Sequence, residues 1–343
     1  MYRRTFLKTS AFAGVGLLTT GLTFGKQEIR VANGYRVGVI GLDSSHSTEF
    51  TKILNNEDAS SDLGGYRVVA AYPYGSRDIE SSVSRIPTYT NQMREMGIQI
   101  VDSIAELLRI TDVILLVTND GRLHLEQAIE VFKAGKTVFI DKPIAASLVD
   151  AISIFQAAKD LNVPVFTTSP LRYMSNMEDI VTNKSIGNIL GACTYSPCTL
   201  EETHPDFFWY GIHGVEALFT VMGTGCRRVS RVHTPDTDFA VGVWEDDRIG
   251  TFRGLRKGRT DYGGEAFGER GIRSMGNFSS GYAPLIKEIA KFFQTGISPV
   301  SPEETIEIFT FMEAADESKR LNGAAVNLAD ILQKAQSQVR KTW

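Results

Sequence analysis

Residues 41–46 form a turn whose residue types and spacing are similar to those of a nucleotide-binding motif. It follows a short apolar strand in the stretch VGVIGLDSSH, residues 37–46. In the dinucleotide fingerprint G-x-G-x-x-G, the glycines form a tight turn, let the backbone approach a pyrophosphate and allow close helix packing. Here Gly41 keeps the first glycine position, whereas Asp43 and His46 replace the second and third. The turn predicts an altered nucleotide site, because a carboxylate at the second position would repel a phosphate.

The two replacing side chains also have a structural interpretation. Asp43 and His46 would then form a turn and helix cap, in which the Asp-x-x-His pair holds the loop. Alternatively, His46 as a cation would face a phosphate. Both interpretations stay open on the sequence.

Alternating strands and helices predict an α/β domain over residues 35–146. The predicted strands cover residues 36–42, 66–74, 112–119 and 136–143, and the predicted helices cover residues 47–55, 104–110 and 124–135. This alternation implies right-handed crossovers and a parallel sheet, with ligands beyond the carboxyl ends of the strands. Asp43, Asn119 and Lys142 all fall at such ends.

A change of pattern after residue 186 predicts a second domain. Before it, residues 147–161 read as a helix, and a strand in NVPVFTTSPLRY ends at Arg172 and Tyr173. After it, longer polar and apolar alternations predict an open mixed, largely antiparallel sheet, and two helices follow. We therefore expect an α+β domain over residues 147–330 and a C-terminal tail over residues 331–343.

Charge and composition narrow the function classes. The net charge is −4, with 43% hydrophobic and 22% charged residues. A mildly acidic protein lacks the excess positive charge that favours binding to nucleic acid or to an anionic membrane. We therefore expect no nucleic-acid partner, and the three cysteines show no zinc spacing.

The N-terminus predicts export. Residues 1–25 combine Arg3 and Arg4, then Phe-Leu-Lys, then a weakly apolar run too short and glycine-rich to span a bilayer. This order resembles the twin-arginine signal of bacteria. It predicts a periplasmic or exported protein without a transmembrane span, anchored to the membrane if the signal stays uncleaved.

Three segments together resemble the glucose-fructose oxidoreductase, inositol dehydrogenase and rhizopine-catabolism family (Gfo/Idh/MocA). HLEQAIEVFKAGKTVFIDKPIAAS resembles its helix, strand and Glu-Lys-Pro segment, with Asp141 in place of the glutamate. GIHGVEALFTVMG resembles its histidine-containing helix, and the sequence from LIKEIAKFF to AAVNL resembles its closing helical pair. The resemblance covers roughly residues 35–330 in the right order.

The resemblance implies a Rossmann domain that binds NAD or NADP and a second domain that holds a sugar or cyclitol. It also implies hydride transfer between a ring carbon and the nicotinamide, with Lys142 and His213 flanking the reacting hydroxyl. A positioned base and a cation beside the oxygen suit this chemistry. The candidate cofactor-binding residues are Gly41, Asp43, Ser45, His46, Asn119, His124 and Lys142.

This sequence departs from the family at the cofactor and at the histidine. Residues 72–74, Tyr-Pro-Tyr, replace the acidic residue that binds ribose hydroxyls, while Arg77 nearby leaves NADP open. Residues 119–121, Asn-Asp-Gly, replace the Thr-Pro-Asn turn. Trp209 stands where the family often has an aspartate, one helical turn before His213.

Four residues are candidates for binding the substrate. Arg172 and Tyr173 would hold a hydroxyl or carboxylate, or would only join the domains. Trp209 and Tyr210 would stack on a sugar ring, or would only fill the core. Glu216 shares a helix face with His213, but without other ligands we predict no metal.

The sequence thus predicts an exported, NAD(P)-dependent oxidoreductase acting on a sugar or sugar derivative. Two alternatives stay open. One is a redox-neutral lyase, hydratase or epimerase acting on a keto-sugar, and the other is a catalytically inactive sugar-binding homologue. We also expect a homo-oligomer formed through the open sheet.

Overall fold

The structure, a computed structural model, describes residues 35–341 and residue 343. The predicted signal at residues 1–25 lies outside the described residues. Within them, two sheets with helices packed against them form two domains. The predicted combination of a Rossmann-type parallel sheet with an α+β domain is confirmed.

The first domain is a six-stranded sheet in the order β3-β2-β1-β4-β5-β6, with every pair parallel. Its elements are β1 (Arg36–Ile40), α1 (Ser45–Leu54), β2 (Arg67–Tyr72), α2 (Glu80–Val83), α3 (Ile86–Glu95), β3 (Gln99–Ile100), α4 (Ile104–Ile110), β4 (Val113–Leu116), α5 (His124–Lys133), β5 (Val138–Ile140), α6 (Leu148–Asp160) and β6 (Val165–Phe166). The central strands are short apolar runs because helices cover both faces of the sheet.

Serine side chains cap the N-termini of several helices. Ser44, Ser103 and Ser147 accept a hydrogen bond from a backbone amide in the first turn of α1, α4 and α6. These bonds satisfy amides that have no partner within the helix. They fix where the chain turns from a strand end into a helix, next to the carboxyl edge of the sheet.

The first domain extends beyond the expected boundary at residue 146. Helix α6 and strand β6 complete the parallel sheet, with Val165 paired to Val138 and Phe166 to Phe139. The expected strand through Arg172 covers only Val165–Phe166, and Pro170–Tyr173 forms a 3-10 turn instead.

The second domain is a seven-stranded sheet in the order β12-β11-β7-β10-β9-β8-β13. Its elements are α7 (Met177–Val181), β7 (Ile189–Pro197), α8 (Ile212–Met222), β8 (Cys226–Thr234), β9 (Thr237–Trp244), β10 (Ile249–Leu255), β11 (Gly263–Gly268), β12 (Gly271–Ser274), α9 (Ala283–Thr295), α10 (Pro302–Arg320), β13 (Val326–Asn327) and α11 (Leu328–Gln338). Only β7 and β10 run parallel, and the other pairs are antiparallel. Helices α8 and α10 cover one face.

The C-terminal helices return to both parts of the fold. Helix α9 packs its apolar face on the first domain, where Phe292 meets Phe166 with ring centroids 4.6 Å apart. Residues from 331, expected as a tail, belong to α11, whose Ile331 and Ala335 are buried. Among the described residues, no helix has the length and apolar character needed to cross a membrane.

Candidate active site

A cavity with about 130 Å³ of open volume lies between the two domains, at the carboxyl edge of the parallel sheet. Its lining residues are Ser44, Ser45, His46, Arg85, Asn119, Lys142, Pro170, Leu171, Tyr210, His213, Tyr262, Phe278 and Tyr282. An engineered cavity of about 150 Å³ binds benzene, so this volume suits a molecule with a single ring.

Lys142 enters the cavity from the end of β5. That strand ends at Ile140, and the backbone amide of Lys142 donates to Oδ1 of Asp141 at 2.9 Å. The Lys142 ammonium lies 5.9 Å from the ring centroid of Tyr210. A cation is thus held beside an aromatic face, where it could stabilise negative charge on a ligand oxygen.

His213 enters the same cavity from the second domain. The chain runs through a π-helical turn at Phe207–Gly211 into α8, and this turn places Tyr210 and His213 on the cavity side. Nδ1 of His213 lies 2.7 Å from Oγ of Ser169. Burial, together with the nearby Lys142 and His46, lowers the pKa of His213 well below its usual value. The ring is therefore neutral near pH 7 and can exchange a proton with a ligand hydroxyl.

Glu216 fixes the segment that holds His213. Its carboxylate accepts hydrogen bonds from the hydroxyl of Thr168, from the amide of Ser169 at 2.8 Å and from Nε of Arg172 at 3.1 Å. These contacts occupy the Glu216 carboxylate, which shares a helix face with His213. In the described part of the chain, no group of three His, Cys, Asp or Glu side chains is arranged for a metal.

Three tyrosines complete the cavity: Tyr210 was predicted from the sequence as a substrate-binding residue, whereas Tyr262 and Tyr282 were not predicted. The hydroxyls of Tyr210 and Tyr262 lie 3.2 Å apart, and both rings contact His213 edge-on. Burial raises the pKa of Tyr282 to about 12 and raises that of Tyr262 further. Tyr262 and Tyr282 therefore stay protonated near pH 7 and can donate a hydrogen bond to a ligand oxygen. No motif spacing marks Tyr262 or Tyr282, because they arrive from the loop after β10 and the start of α9.

His46 pairs with Asp141, and not with Asp43 as the turn-and-cap interpretation expected. Nδ1 of His46 lies 2.5 Å from Oδ2 of Asp141. The helix cap is instead Ser44, whose hydroxyl accepts from the His46 amide at 3.1 Å. The His46 ring stacks on Phe50, with centroids 4.8 Å apart, and meets the edge of Tyr282. The prediction that Asp43 and His46 pair with each other to hold the loop is therefore wrong.

Asp43 is fully buried and points between two loops. Its carboxylate accepts from the amide of Ser76, after β2, and from the amide of Asn119, after β4, both at 3.0 Å. A side chain on Gly75 would collide with this carboxylate, so the loop after β2 lies directly against it. Burial raises the pKa of Asp43.

Further contacts join the same two loops. Nδ2 of Asn119 donates to Oγ of Ser82 at 2.9 Å, and Nη2 of Arg122 donates to Oδ1 of Asp78 at 2.5 Å. We call these contacts, together with those of Asp43, the Asp43 bridge. In a Rossmann site, the pyrophosphate rests on the turn after β1 and the ribose on an acid after β2. The bridge and the Tyr-Pro-Tyr segment at residues 72–74 occupy this region, so the residues there do not fit a dinucleotide in its usual position.

The structure brings together only part of the predicted site. Ser45, His46, Asn119, Lys142, Tyr210 and His213 line the cavity, whereas Gly41, Asp43, His124, Arg172, Tyr173 and Trp209 are not among its lining residues. Gly41 has φ 91° and lies against the backbone of Thr118, which leaves no room for a side chain.

The predicted residues away from the cavity make structural contacts. The ring nitrogens of His124 lie 2.7 Å from the carbonyl oxygen of Thr118 and 3.1 Å from that of Ile144. Trp209 packs on the ring of His204. Arg172 pairs with Glu216 and Glu304, and the neighbouring Tyr173 is half-buried.

Comparison with known proteins gives a family match for the first domain and a fold match for most of the chain. Residues 35–169 match the sequence model of an oxidoreductase family with an NAD-binding Rossmann fold, GFO_IDH_MocA. Over 96 residues, the chain is 33% identical to 1,5-anhydro-D-fructose reductase of Ensifer adhaerens, and over 157 residues it is 25% identical to glucose-6-phosphate 3-dehydrogenase of Bacillus subtilis. These matches span 27% and 45% of this chain, but only 29% and 39% of the two relatives.

Solved structures resemble the chain over most of its length. Scyllo-inositol dehydrogenase of Lactobacillus casei, solved with NAD(H) and scyllo-inositol, superimposes with a TM-score of 0.69 at 16% identity, covering 86% of this chain and 99% of that one. Myo-inositol 2-dehydrogenase of Lactobacillus plantarum gives a TM-score of 0.68 at 16% identity, covering 85% and 99%. At this identity, the likeness shows the two-domain fold alone.

Proposed function

Because residues 35–169 match the Gfo/Idh/MocA oxidoreductase family, we propose that the chain is an enzyme acting on a sugar-like molecule bound between Lys142 and His213. The observation that carries the proposal is the convergence of these two side chains, from different domains, on one cavity rimmed by tyrosines. A cavity of this size and polarity suits a polyhydroxylated ring.

The chemistry of the proposal is proton transfer at a ring hydroxyl or carbonyl. The neutral His213 exchanges a proton with the ligand oxygen, and the Lys142 ammonium stabilises the charge that develops on that oxygen. Ser169 holds the His213 ring, and Glu216 holds the amide of Ser169. These steps are shared by oxidation of a carbinol and by enolisation of a ketone.

NAD(P)-dependent hydride transfer is the activity that the family suggests for this site. NAD or NADP would supply the hydride acceptor, and its binding in the usual position would require the Asp43 bridge to open. The Asp43 bridge favours a second candidate, redox-neutral chemistry on a keto-sugar, which needs no hydride carrier.

The first experiment is to denature the purified, natively produced protein and identify the released small molecules by mass spectrometry. NAD(P) released near one per chain would support hydride transfer. If none is released, and added NAD(P) neither binds nor shifts the melting temperature, the redox-neutral candidate is favoured.

A second measurement tests the substrate class by calorimetric titration with scyllo-inositol, 1,5-anhydro-D-fructose and 3-keto-D-glucose. We expect at least one compound to bind, and we expect Lys142→Met to weaken binding or turnover. Lys52→Met, at an exposed lysine paired with Glu49, is the matched control. Binding of none of the three would argue against a sugar-like substrate.

We also propose export through the twin-arginine route and assembly of a homo-oligomer. Export rests on the order of residues in the N-terminal segment. Assembly is supported by the face of the second sheet that the helices leave uncovered, where Tyr195, Phe239 and Ile249 stay about 40 to 50% exposed. Apolar side chains grouped on a sheet face are typical of a protein interface.

A further inference from the structure

His46 occupies an unusual position for a histidine that starts a helix. It lies in the first turn of α1, is only 7% exposed, and still lines the cavity together with Lys142 and His213. Phe50 stacks on one side of its ring, and Tyr282 meets it edge-on. These contacts hold the ring in one plane at the cavity wall.

Asp141 determines which nitrogen of His46 is available to a ligand. Its Oδ2 engages Nδ1 of His46 at 2.5 Å, while its Oδ1 accepts the amide of Lys142 at 2.9 Å. A carboxylate that accepts from Nδ1–H fixes the imidazole tautomer, leaves Nε2 as the proton acceptor and stabilises the imidazolium that forms. Among the described residues, Nε2 of His46 has no hydrogen-bond partner.

We propose that His46, oriented by Asp141, is a general base that removes a proton from a carbon next to a carbonyl group of the bound sugar-like molecule. This inference rests on the proposed function, since it uses the same cavity and ligand class. It goes further by assigning a redox-neutral activity and a catalytic residue, with Asp141 as the positioning residue.

The step balances without an electron acceptor. The C–H bond breaks and its proton moves to Nε2 of His46. The electron pair of that bond forms a C=C bond, and the π pair of the carbonyl moves onto its oxygen. The ammonium group of Lys142, the residue after Asp141, stabilises this oxyanion. Return of a proton from the imidazolium to carbon restores the carbonyl compound.

Deuterium exchange tests the proposal directly. The full chain, freed of bound nucleotide, is incubated in D₂O with 1,5-anhydro-D-fructose or 3-keto-D-glucose, and loss of the proton next to the carbonyl is followed by NMR. We expect the wild-type protein to accelerate exchange without added NAD(P). His46→Gln should slow enzymatic exchange by about 10²-fold or more, the usual contribution of a general base. Asp141→Asn should slow it by a smaller factor.

Controls separate catalysis from folding and from binding. His233→Gln changes an exposed histidine on β8 and should leave exchange unchanged. Calorimetric titration of the same compounds should show that His46→Gln binds within about threefold of the wild type. His46→Asn serves as the second variant if His46→Gln melts at a lower temperature.

The outcomes distinguish this inference from the proposed function. If the wild type binds the compounds but does not exchange the proton, or if His46→Gln exchanges as fast as the wild type, the inference is overturned and the proposed function stands. Exchange that depends on added NAD(P) also overturns it. If the wild type binds none of the compounds, the proposed function itself fails, and this inference fails with it.

Discussion

The carboxylate of Asp43 accepts a hydrogen bond from the amide of Asn119 at 3.0 Å, and so joins the turn after β1 to the loop after β4. The same carboxylate holds the amide of Ser76 after β2. Three loops at the carboxyl edge of the parallel sheet are therefore tied by one buried side chain. This is the edge at which Rossmann folds bind their ligands.

Replacing Asp43 by glycine should change both nucleotide affinity and stability. We expect Asp43→Gly to increase the affinity for NAD(P), because it removes a carboxylate and frees two amides. It should also lower the free energy of unfolding by about 1 to 3 kcal/mol, since those amides lose their acceptor. Calorimetric titration and urea unfolding measure the two effects. Asp43→Asn, which keeps the size and loses the charge, is the control, and unchanged NAD(P) affinity in both variants would contradict the prediction.

Lys142 should affect turnover more than folding. Removing the ammonium with Lys142→Met should lower the rate of proton exchange or oxidation by about 10²-fold or more, because the developing oxyanion loses its cation. Thermal melting should change little, since Lys142 reaches a cavity. Lys52→Met should match the wild type in both measurements, and an equally slow Lys52→Met would point to a nonspecific effect.

Arg172 should affect stability more than ligand affinity. Its guanidinium lies between Glu216 and Glu304, at 3.1 Å and 2.7 Å. Arg172→Met leaves two carboxylates in a largely buried site without their cation, which typically costs about 3 to 5 kcal/mol. Chemical denaturation should show this loss, with Arg94→Met, at an exposed position of α3, as the control. A folded variant with full stability but weakened sugar binding would instead identify Arg172 as a substrate residue.

Stability at acid pH should depend on Asp141. Burial acts to raise its pKa, but the electrostatic interactions and hydrogen bonds with His46 and Lys142 outweigh burial and lower the pKa to about 2. The ordinary value is about 3.9, so the ionised carboxylate stabilises the fold above about pH 4, and this contribution is lost as the pH falls through about 2. Asp141→Asn should therefore lose about 2 to 3 kcal/mol at pH 6 relative to the wild type, with the difference shrinking towards pH 2. Denaturation at several pH values, with exposed Asp102→Asn as the control, checks this; a gap that does not change with pH would contradict it.

The uncovered face of the second sheet should be an oligomer interface. Tyr195, Arg253 and Phe239 lie in register across β7, β10 and β9, and the Arg253 guanidinium lies 5.8 Å from the Phe239 ring centroid. Light scattering on the eluting protein should show an oligomer, and Phe239→Glu should convert it to a monomer. Leu321→Glu, an exposed position after α10, should leave the oligomer intact. A monomeric wild-type protein would rule out this role for the face.

Much of the fold could be predicted because its helices and strands depend on residues that are close together in the sequence. The helix at residues 104–110 matches the prediction at both ends, since Ser103 caps an apolar pattern. The strand predicted through Tyr173 did not extend beyond Phe166, because Ser169 caps a turn in which Pro170 needs no amide partner. That turn, and not the end of a strand, places the Arg172 side chain against Glu216.

The site was less predictable because its contacts are not local. His46 and Asp141 are separated by 95 positions in the sequence, and they belong to two different motifs. Tyr262 and Tyr282 come from segments without a recognisable spacing. Only packing of the second domain against the first shows that these side chains share a cavity with Lys142.

Helix α9 completes the apolar packing of the first domain, although the ribosome synthesises this helix late. The first domain therefore cannot complete its core while the earlier part of the chain is being made. Phe292 and Phe293 lie more than 120 residues after β6, yet they contact Phe166 in β6 and Tyr66 just before β2. Until that late segment has emerged, the nascent first domain presents an apolar surface to solvent and to chaperones. A fragment ending near residue 169 should therefore aggregate, whereas the complete chain can bury that surface.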